Sequence, residues 1–315
     1  SAQLPEIRLV DTTVERKRKT MRESFSSVLI EAIKERVEKG EQVILFQNRR
    51  GYAPYLTCED CAWTPECRNC AVSLTYHLYK NELRCHYCGH QEAAPRVCVA
   101  CGSTKIKSMG LGTERIEDEL KLLLPQVRVQ RMDLDTTRKK YSYQQIIGDF
   151  ENGVIDVLVG TQMVSKGLDF GKVSLVGVFE VDRLMHFPDF RAHERTFQLV
   201  TQVSGRAGRR AQQGLVLIQT ANPYQTLLQE VVTGDYQEMY QRELQERQEY
   251  GYPPFMRLIR LTVRCQDMVL RDEAAAVLAD MLRAQLGASR VLGPEKPIVD
   301  KVRNYFLSDI LIKLE

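Results

Sequence analysis

Long apolar runs are missing from this 315-residue chain. None approaches the roughly 18 residues that a membrane-spanning helix needs, so no helical span is expected. No basic segment followed by an apolar core opens the sequence, so no signal peptide is expected there. Ser1 stands where an initiator Met would be, and a longer natural protein is expected. Charge of one sign is also scarce. Lys and Arg number 44 against 41 Asp and Glu, a net charge of +3. That excess is too weak to argue polyanion binding from bulk charge, so any basic surface must be local. Low-complexity tracts and long internal repeats are absent, which argues against fibrous and solenoid architectures. What remains is 43% hydrophobic and 27% charged, an ordinary globular composition with length for two or three domains.

Cysteine is unevenly spread. Of 9 in the chain, all but Cys265 fall in the pairs Cys58/Cys61, Cys67/Cys70, Cys85/Cys88 and Cys98/Cys101. Each pair is C-x-x-C, a spacing that lets two thiolates of one tight turn grip one tetrahedral ion. Gly89 and Gly102 directly follow their pairs, as turns with positive φ favour. Four such pairs in one stretch predict two zinc sites of four thiolates each rather than a redox or disulfide cluster. The segment between Cys70 and Cys85 alternates like a hairpin. It predicts that Cys67, Cys70, Cys85 and Cys88 share one ion, leaving Cys58, Cys61, Cys98 and Cys101 for the other. Sequential pairing is the alternative. Closed four-thiolate sites are structural rather than catalytic. His77, His86 and His90 are then expected as surface or supporting groups. Arg68, Lys80, Arg84 and Arg96 are balanced by Glu59, Asp60, Glu66, Glu82 and Glu92, so the module is no generic phosphate clamp. Tyr52, Tyr55, Trp63, Tyr76, Tyr79 and Tyr87 are expected mostly as its small core, with stacking on bases as the alternative.

Outside this block the chain alternates strand and helix. Strands are expected at residues 43–46, 127–131, 157–160, 175–179 and 215–219, all short apolar runs. Helices are expected at 24–38, 113–124, 143–151 and 193–203, with Ser24 and Thr113 as N-caps. The alternation predicts an α/β fold with a parallel sheet and helices on both faces. Ligands of such sheets gather beyond the carboxyl ends of the strands. Asn48-Arg49-Arg50-Gly51 follows the first expected strand, and the segment from Gly160 to Phe170 follows the third. Residues 202–210 (QVSGRAGRR) end the last long helix. Two arginines three apart, held close to the backbone by glycines, suit contact with a polyphosphate.

The tail reads as a small α+β domain. Residues 221–249 are expected helical, with Tyr236, Met239 and Leu244 as packing positions. Gly251-Tyr252-Pro253-Pro254 marks a boundary, because consecutive prolines exclude a helix. A strand at 258–264, a helix at 270–286, a Gly293-Pro294 turn and a strand at 310–314 follow. Cys265 is expected to pack in its strand. The expected division is a lobe at 1–57 and 102–235, the zinc module at 58–101, a helical linker at 236–251 and a partial C-terminal domain at 252–315.

GTQMVSKGLDF and QVSGRAGR resemble motifs V and VI of superfamily 2 helicases. With NRRGYAP, the eight-cysteine insert, GYPPFMRLIRLTVRC and VLGP, the chain resembles the family of primosomal replication-restart helicases over nearly its whole length. The resemblance implies a RecA-like second helicase lobe of an ATP-dependent DNA helicase. Arg206 and Arg209 would then reach the γ-phosphate of ATP, and Gln202 would help couple ATP to DNA. Gly167 and Asp169 would face the nucleotide. Thr161 and Gln162 would touch DNA, as would Arg49 and Arg50. The cofactors implied are two Zn2+ together with ATP and Mg2+. The partners implied are forked or branched DNA, single-stranded-DNA-binding protein, primosome proteins and a replicative helicase loader, in the bacterial cytoplasm with the nucleoid and without a membrane. In the C-terminal domain Lys296, Lys301 and Arg303 are candidate contacts. The chain has no G-x-x-x-x-G-K-[ST] loop and no Asp-Glu-x-His box, and Gly110-Leu111-Gly112-Thr113 lacks the lysine such a loop needs. A first lobe is therefore expected to be missing and the chain alone to be inactive. A non-enzymatic zinc scaffold for primosome proteins, or an RNA helicase with an unrelated insert, are the other readings.

Overall fold

The structure, a computed structural model, describes residues 3–48, 53–109, 116–132, 140–161, 170–208 and 213–315, with the backbone alone described at 140 and 141. The chain forms two compact units. One holds residues 1–51, 112–185 and 193–239. The other holds 52–111, 186–192 and 240–315, so the cysteine module and the C-terminal domain belong to one unit.

The first unit is built on a six-stranded sheet in the order Glu6–Asp11, Leu215–Thr220, Val173–Phe179, Gln42–Gln47, Val157–Gly160, Val129–Met132. Every neighbouring pair is parallel. The central strands are apolar at nearly every position because both of their faces are covered. Ile44 and Phe46 point into one core with residues of the helices Lys140–Glu151, Ala192–Ser204 and Thr226–Thr233. Val43 and Leu45 point into the other, with Leu29 and Ile33 of Ser27–Glu38 and with Ile116 and Leu120 of Ile116–Leu123. Fully burying each such side chain contributes about 1.5–3 kcal/mol.

Three local expectations change. The helix expected from residue 24 begins at Ser27, because the Ser26 hydroxyl accepts from the Leu29 N–H at 3.1 Å. Ser24 instead donates through its backbone N–H and its hydroxyl to Glu119, at 3.0 and 2.9 Å. The helix expected over 221–249 is two, Thr226–Thr233 and Tyr236–Tyr250, parted where Gly234 takes a φ of 69°. The Thr113 cap lies outside the described residues.

In the second unit, Tyr55–Cys58 pairs antiparallel with Ile106–Met109. Thr75–His77, Glu82–Arg84 and Gln91–Ala93 form a three-stranded antiparallel sheet. In the C-terminal part Tyr305–Leu314 lies between Arg257–Cys265 and Val291–Glu295, with Lys301–Val302 folded back on it. Gly293-Pro294 lies within Val291–Glu295, where the register shifts, and not in a turn between elements. The helix Met268–Leu286 contributes Ala279 to a core with Val291, Ile310 and Ile312. Cys265 is half-buried in its strand. A further core joins Cys67, Cys70, Cys85, Leu74 and Leu83 to Tyr252 and Leu311. Tyr55 and Tyr87 are buried, Trp63 and Tyr76 are half-buried, and Tyr79 is fully exposed. Among the described residues no helix is long and apolar enough to cross a membrane.

Candidate functional site

Two groups of thiols stand out. The ligand atoms of Cys58, Cys61, Cys98 and Cys101 all lie within 4.8 Å of one another, and so do those of Cys67, Cys70, Cys85 and Cys88. The Sγ atoms of Cys58 and Cys101 are 3.6 Å apart, those of Cys61 and Cys98 3.6 Å, and those of Cys67 and Cys88 3.7 Å. A disulfide would bring sulfurs to about 2.05 Å. A tetrahedron with Zn–S bonds of about 2.3 Å has edges of about 3.8 Å. The donor set and its spacing therefore fit zinc.

Backbone turns place the thiols. Each pair closes a knuckle whose first cysteine carbonyl accepts an N–H four residues on: Ala62 to Cys58, Ala71 to Cys67, Gly89 to Cys85 and Gly102 to Cys98, at 2.8 to 3.0 Å. The four donors have φ values of 60°, 48°, 77° and 76°. Glycine adopts this conformation freely, and the two alanines hold it against the usual preference. The Tyr87 and His90 N–H groups point at the Cys85 and Cys88 sulfurs, each at 3.4 Å. The histidines are turned elsewhere. His86 Nδ1 lies 2.6 Å from the Lys296 carbonyl oxygen, and His90 Nε2 lies 3.1 Å from Glu92. His77 and His86 face each other with ring centroids 5.4 Å apart.

The two groups differ in surroundings. Cys61 and Cys101 of the outer group are exposed, whereas Cys67, Cys70 and Cys85 of the inner group are buried. Tyr252, 1% exposed, donates its hydroxyl to the Cys70 carbonyl at 2.6 Å. Its ring stacks on Phe190 with centroids 4.6 Å apart and planes 7° from parallel. Arg84 of the inner ribbon pairs with the buried Glu295 at 2.7 Å. Burial pushes the Glu295 carboxyl up, and Arg84 pulls it back.

In the first unit the register sets strand ends side by side. Phe46 pairs with Gly160 on one flank and Val178 on the other, and Gln47 pairs with Phe179. Asn48, Thr161 and Glu180 therefore leave the same sheet edge from three adjacent strands. Arg49, Arg50, Gln162, Gly167, Asp169 and Arg209 lie outside the described residues. Gln202 is exposed on Ala192–Ser204. Arg206 is half-buried just beyond it, its N–H bonded to the Val203 carbonyl at 3.0 Å. Gly208 follows at a φ of 75°, and its N–H reaches the Val173 carbonyl at 3.0 Å. A Cβ on Gly214 would meet the Ala207 carbonyl carbon at 2.5 Å. The glycines thus let this helix terminus lie flat against the sheet.

Sequence reasoning passes over several groups. Glu180 sits at a φ of 59° with a nearly buried side chain, accepts from Gln47 Nε2 at 3.2 Å and pairs with Arg183 at 2.8 Å. A non-glycine residue held there is a candidate for positioning work. Asp182 accepts from the Thr220 hydroxyl at 2.6 Å and the Ala221 N–H at 2.8 Å, tying two strand ends together. Burial raises its pKa, and those two donors work against the rise. The available signal is E-x-D directly after an apolar strand. Tyr252 and Lys313 give no signal, since their roles depend on packing against a distant segment.

A parallel α/β unit, together with a unit built around two four-cysteine clusters, defines a zinc-ribbon-bearing α/β protein. Residues 67–92 match the PriA DNA helicase Cys-rich region domain. The chain is 43% identical to the Replication restart protein PriA of Bacillus subtilis (strain 168), over 98% of this chain and 38% of that protein. It is 39% identical to the Synechocystis protein of the same name, over 99% of this chain and 38% of the relative. For the Treponema pallidum relative the identity is 42%, over 92% of this chain and 44% of the relative. The chain belongs to the PriA family of replication restart proteins and spans less than half the length of these relatives.

Proposed function

We propose that this chain is the RecA-like second motor lobe, zinc module and partial C-terminal domain of an ATP-dependent DNA helicase of replication restart. The observation that carries the reading is the shared sheet edge, where Asn48 and Thr161 leave adjacent strands at the head of the segments containing Arg49, Arg50 and Gln162. On this reading those segments contact DNA, and Gly167 and Asp169 face the nucleotide. Arg206 and Arg209 approach the γ-phosphate of ATP, which with Mg2+ is held by a companion lobe. Gln202 links the two events. Arginines in that role are worth about 10³–10⁵ in rate. Two Zn2+ sit in the two cysteine groups and hold the module's fold, with no open coordination position for chemistry.

Further proposals rest on family membership: action on forked or branched DNA in the bacterial cytoplasm, with single-stranded-DNA-binding protein, primosome proteins and a helicase loader as partners. The sequence has no phosphate-loop motif, and the isolated chain is expected to hydrolyse no ATP. A DNA-stimulated ATPase rate above blank from purified 1–315 overturns that expectation. In a full-length relative, Arg206→Ala should abolish DNA-stimulated ATPase while leaving two zinc ions and partner binding intact. Retained ATPase refutes the arginine's role. A protein that restarts replication with Arg206→Ala in place would instead be a zinc-dependent scaffold, the reading favoured by the closed form of both metal sites.

A further inference from the structure

The inner cysteine group is buried, and its charge has to be balanced. Four thiolates around a dication leave two excess negative charges, and an uncompensated buried charge is costly. The N–H groups of Tyr87 and His90 and the side-chain amide of Asn69 offer hydrogen bonds to its sulfurs but carry no positive charge.

A cation reaches this group from the far end of the chain. Lys313, on Tyr305–Leu314, is 9% exposed. Its Nζ donates to the Tyr250 carbonyl at 2.6 Å and lies 4.3 Å from the centre of the Tyr252 ring. That ring's hydroxyl holds the Cys70 carbonyl. Leu311, two residues before it and on the same strand face, packs in one core with Cys67, Cys70, Cys85 and Tyr252, so Lys313 extends from the face that meets the thiol group. This buried lysine makes one backbone hydrogen bond and covers one aromatic face, and among the described residues no carboxylate pairs with it.

We infer that Lys313 is the counter-charge of the inner zinc site and that Tyr252 fixes the Cys70 knuckle, so that this site is completed by the C-terminal domain. The four thiolates come from the module, and the groups that retain the ion come from residues 252 and 313. Loss of such supporting partners typically weakens metal retention about 10–100-fold. The outer group has no part in this arrangement.

The inference rests on both groups binding zinc, so metal content is read first. Fewer than two ions per wild-type chain overturns the zinc reading itself. With two ions present, release to a chromogenic chelator is followed in Lys313→Met, Lys313→Arg and Tyr252→Phe. A Cys101→Ser background, which loosens the exposed outer site so that its ion leaves first, separates out the inner phase. Lys313→Met should speed inner release about 10–100-fold, Tyr252→Phe less, and Lys313→Arg little. The outer phase of the otherwise intact chain should not change. Unchanged inner release in Lys313→Met, or equal acceleration of both phases, overturns the inference. Should Lys313→Met fail to fold, the order wild type, Lys313→Arg, Tyr252→Phe in rising inner release decides, and equal rates refute it.

Discussion

The two units of this chain fill their interiors differently. In the first, both faces of a parallel sheet are packed by helices, and the core is aliphatic and aromatic throughout. In the second, one core counts Cys67, Cys70 and Cys85 among its members, beside Leu74, Leu83 and Tyr252. A six-stranded sheet with two covered faces buries enough apolar surface to be stable by that alone. The three- and four-residue strands of the cysteine module do not, unlike the longer strands of the C-terminal part of the same unit, and small folds of that kind need a staple. The difference teaches where a metal is needed: in the part of the chain whose strands are too short to make a core.

Zinc removal gives the widest separation between the units. Chelation should abolish the folded signal of the cysteine module, because structural zinc contributes about 10–16 kcal/mol per site, while the first unit keeps its own thermal transition. Calorimetry with and without chelator checks this, and a single transition lost as a whole would erase the contrast. Next, Cys85→Ser should destabilise the second unit by about 3–5 kcal/mol, as expected when one partner leaves a buried charged set. Cys101→Ser, at an exposed position, should cost clearly less. Denaturant midpoints compare the two. In the first unit the corresponding weak point is apolar, and Phe46→Ala should cost about 3–5 kcal/mol there without changing zinc content. The smallest effect concerns pH. Burial raises the Asp156 carboxyl, but bonds from the Arg128 side chain and backbone more than offset this, and its pKa is lowered. A lowered carboxylate pKa contributes stability that is present above the ordinary Asp range and is lost as pH falls through the folded value. Because Arg128 is largely exposed, Asp156→Asn should cost about 1 kcal/mol or less at neutral pH and flatten the acid limb of the first unit alone.

Much of the first unit is legible in the sequence because covered parallel strands announce themselves as apolar runs. The strands Gln42–Gln47, Val157–Gly160 and Val173–Phe179 overlap the expected segments within a residue or two. Glu6–Asp11 leaves no such signature. It lies at the sheet edge, pairs with one neighbour only, and its Ile7 and Leu9 are half-buried among charged residues. The cap of Ser27–Glu38 is ambiguous in the sequence, since Ser24 and Ser26 look alike until Glu119 engages the first. The nested grouping of cysteines is legible from the hairpin between the inner pairs, because a fixed short spacing limits which thiols can meet. What supports the inner group is not legible, because Tyr252 and Lys313 meet it across separations that leave no periodic trace. For the arginines, the sequence carries the motif and the structure adds only the helix terminus bearing Arg206 and the flanking glycines.

The antiparallel pairing of Tyr55–Cys58 with Ile106–Met109 has a consequence for how such a chain can change over time. Tyr55 stands opposite Met109, so the intervening polypeptide departs and comes back at one point. The entropy of closing that excursion is then set by a two-strand stem and hardly at all by what hangs beyond it. The ends of the excursion stay together whatever its length, while its content is constrained where Cys67, Cys70 and Cys85 pack with Tyr252 and Leu311. Insertions and deletions are then tolerated best at the parts of the excursion outside that core, such as the exposed turn carrying Tyr79.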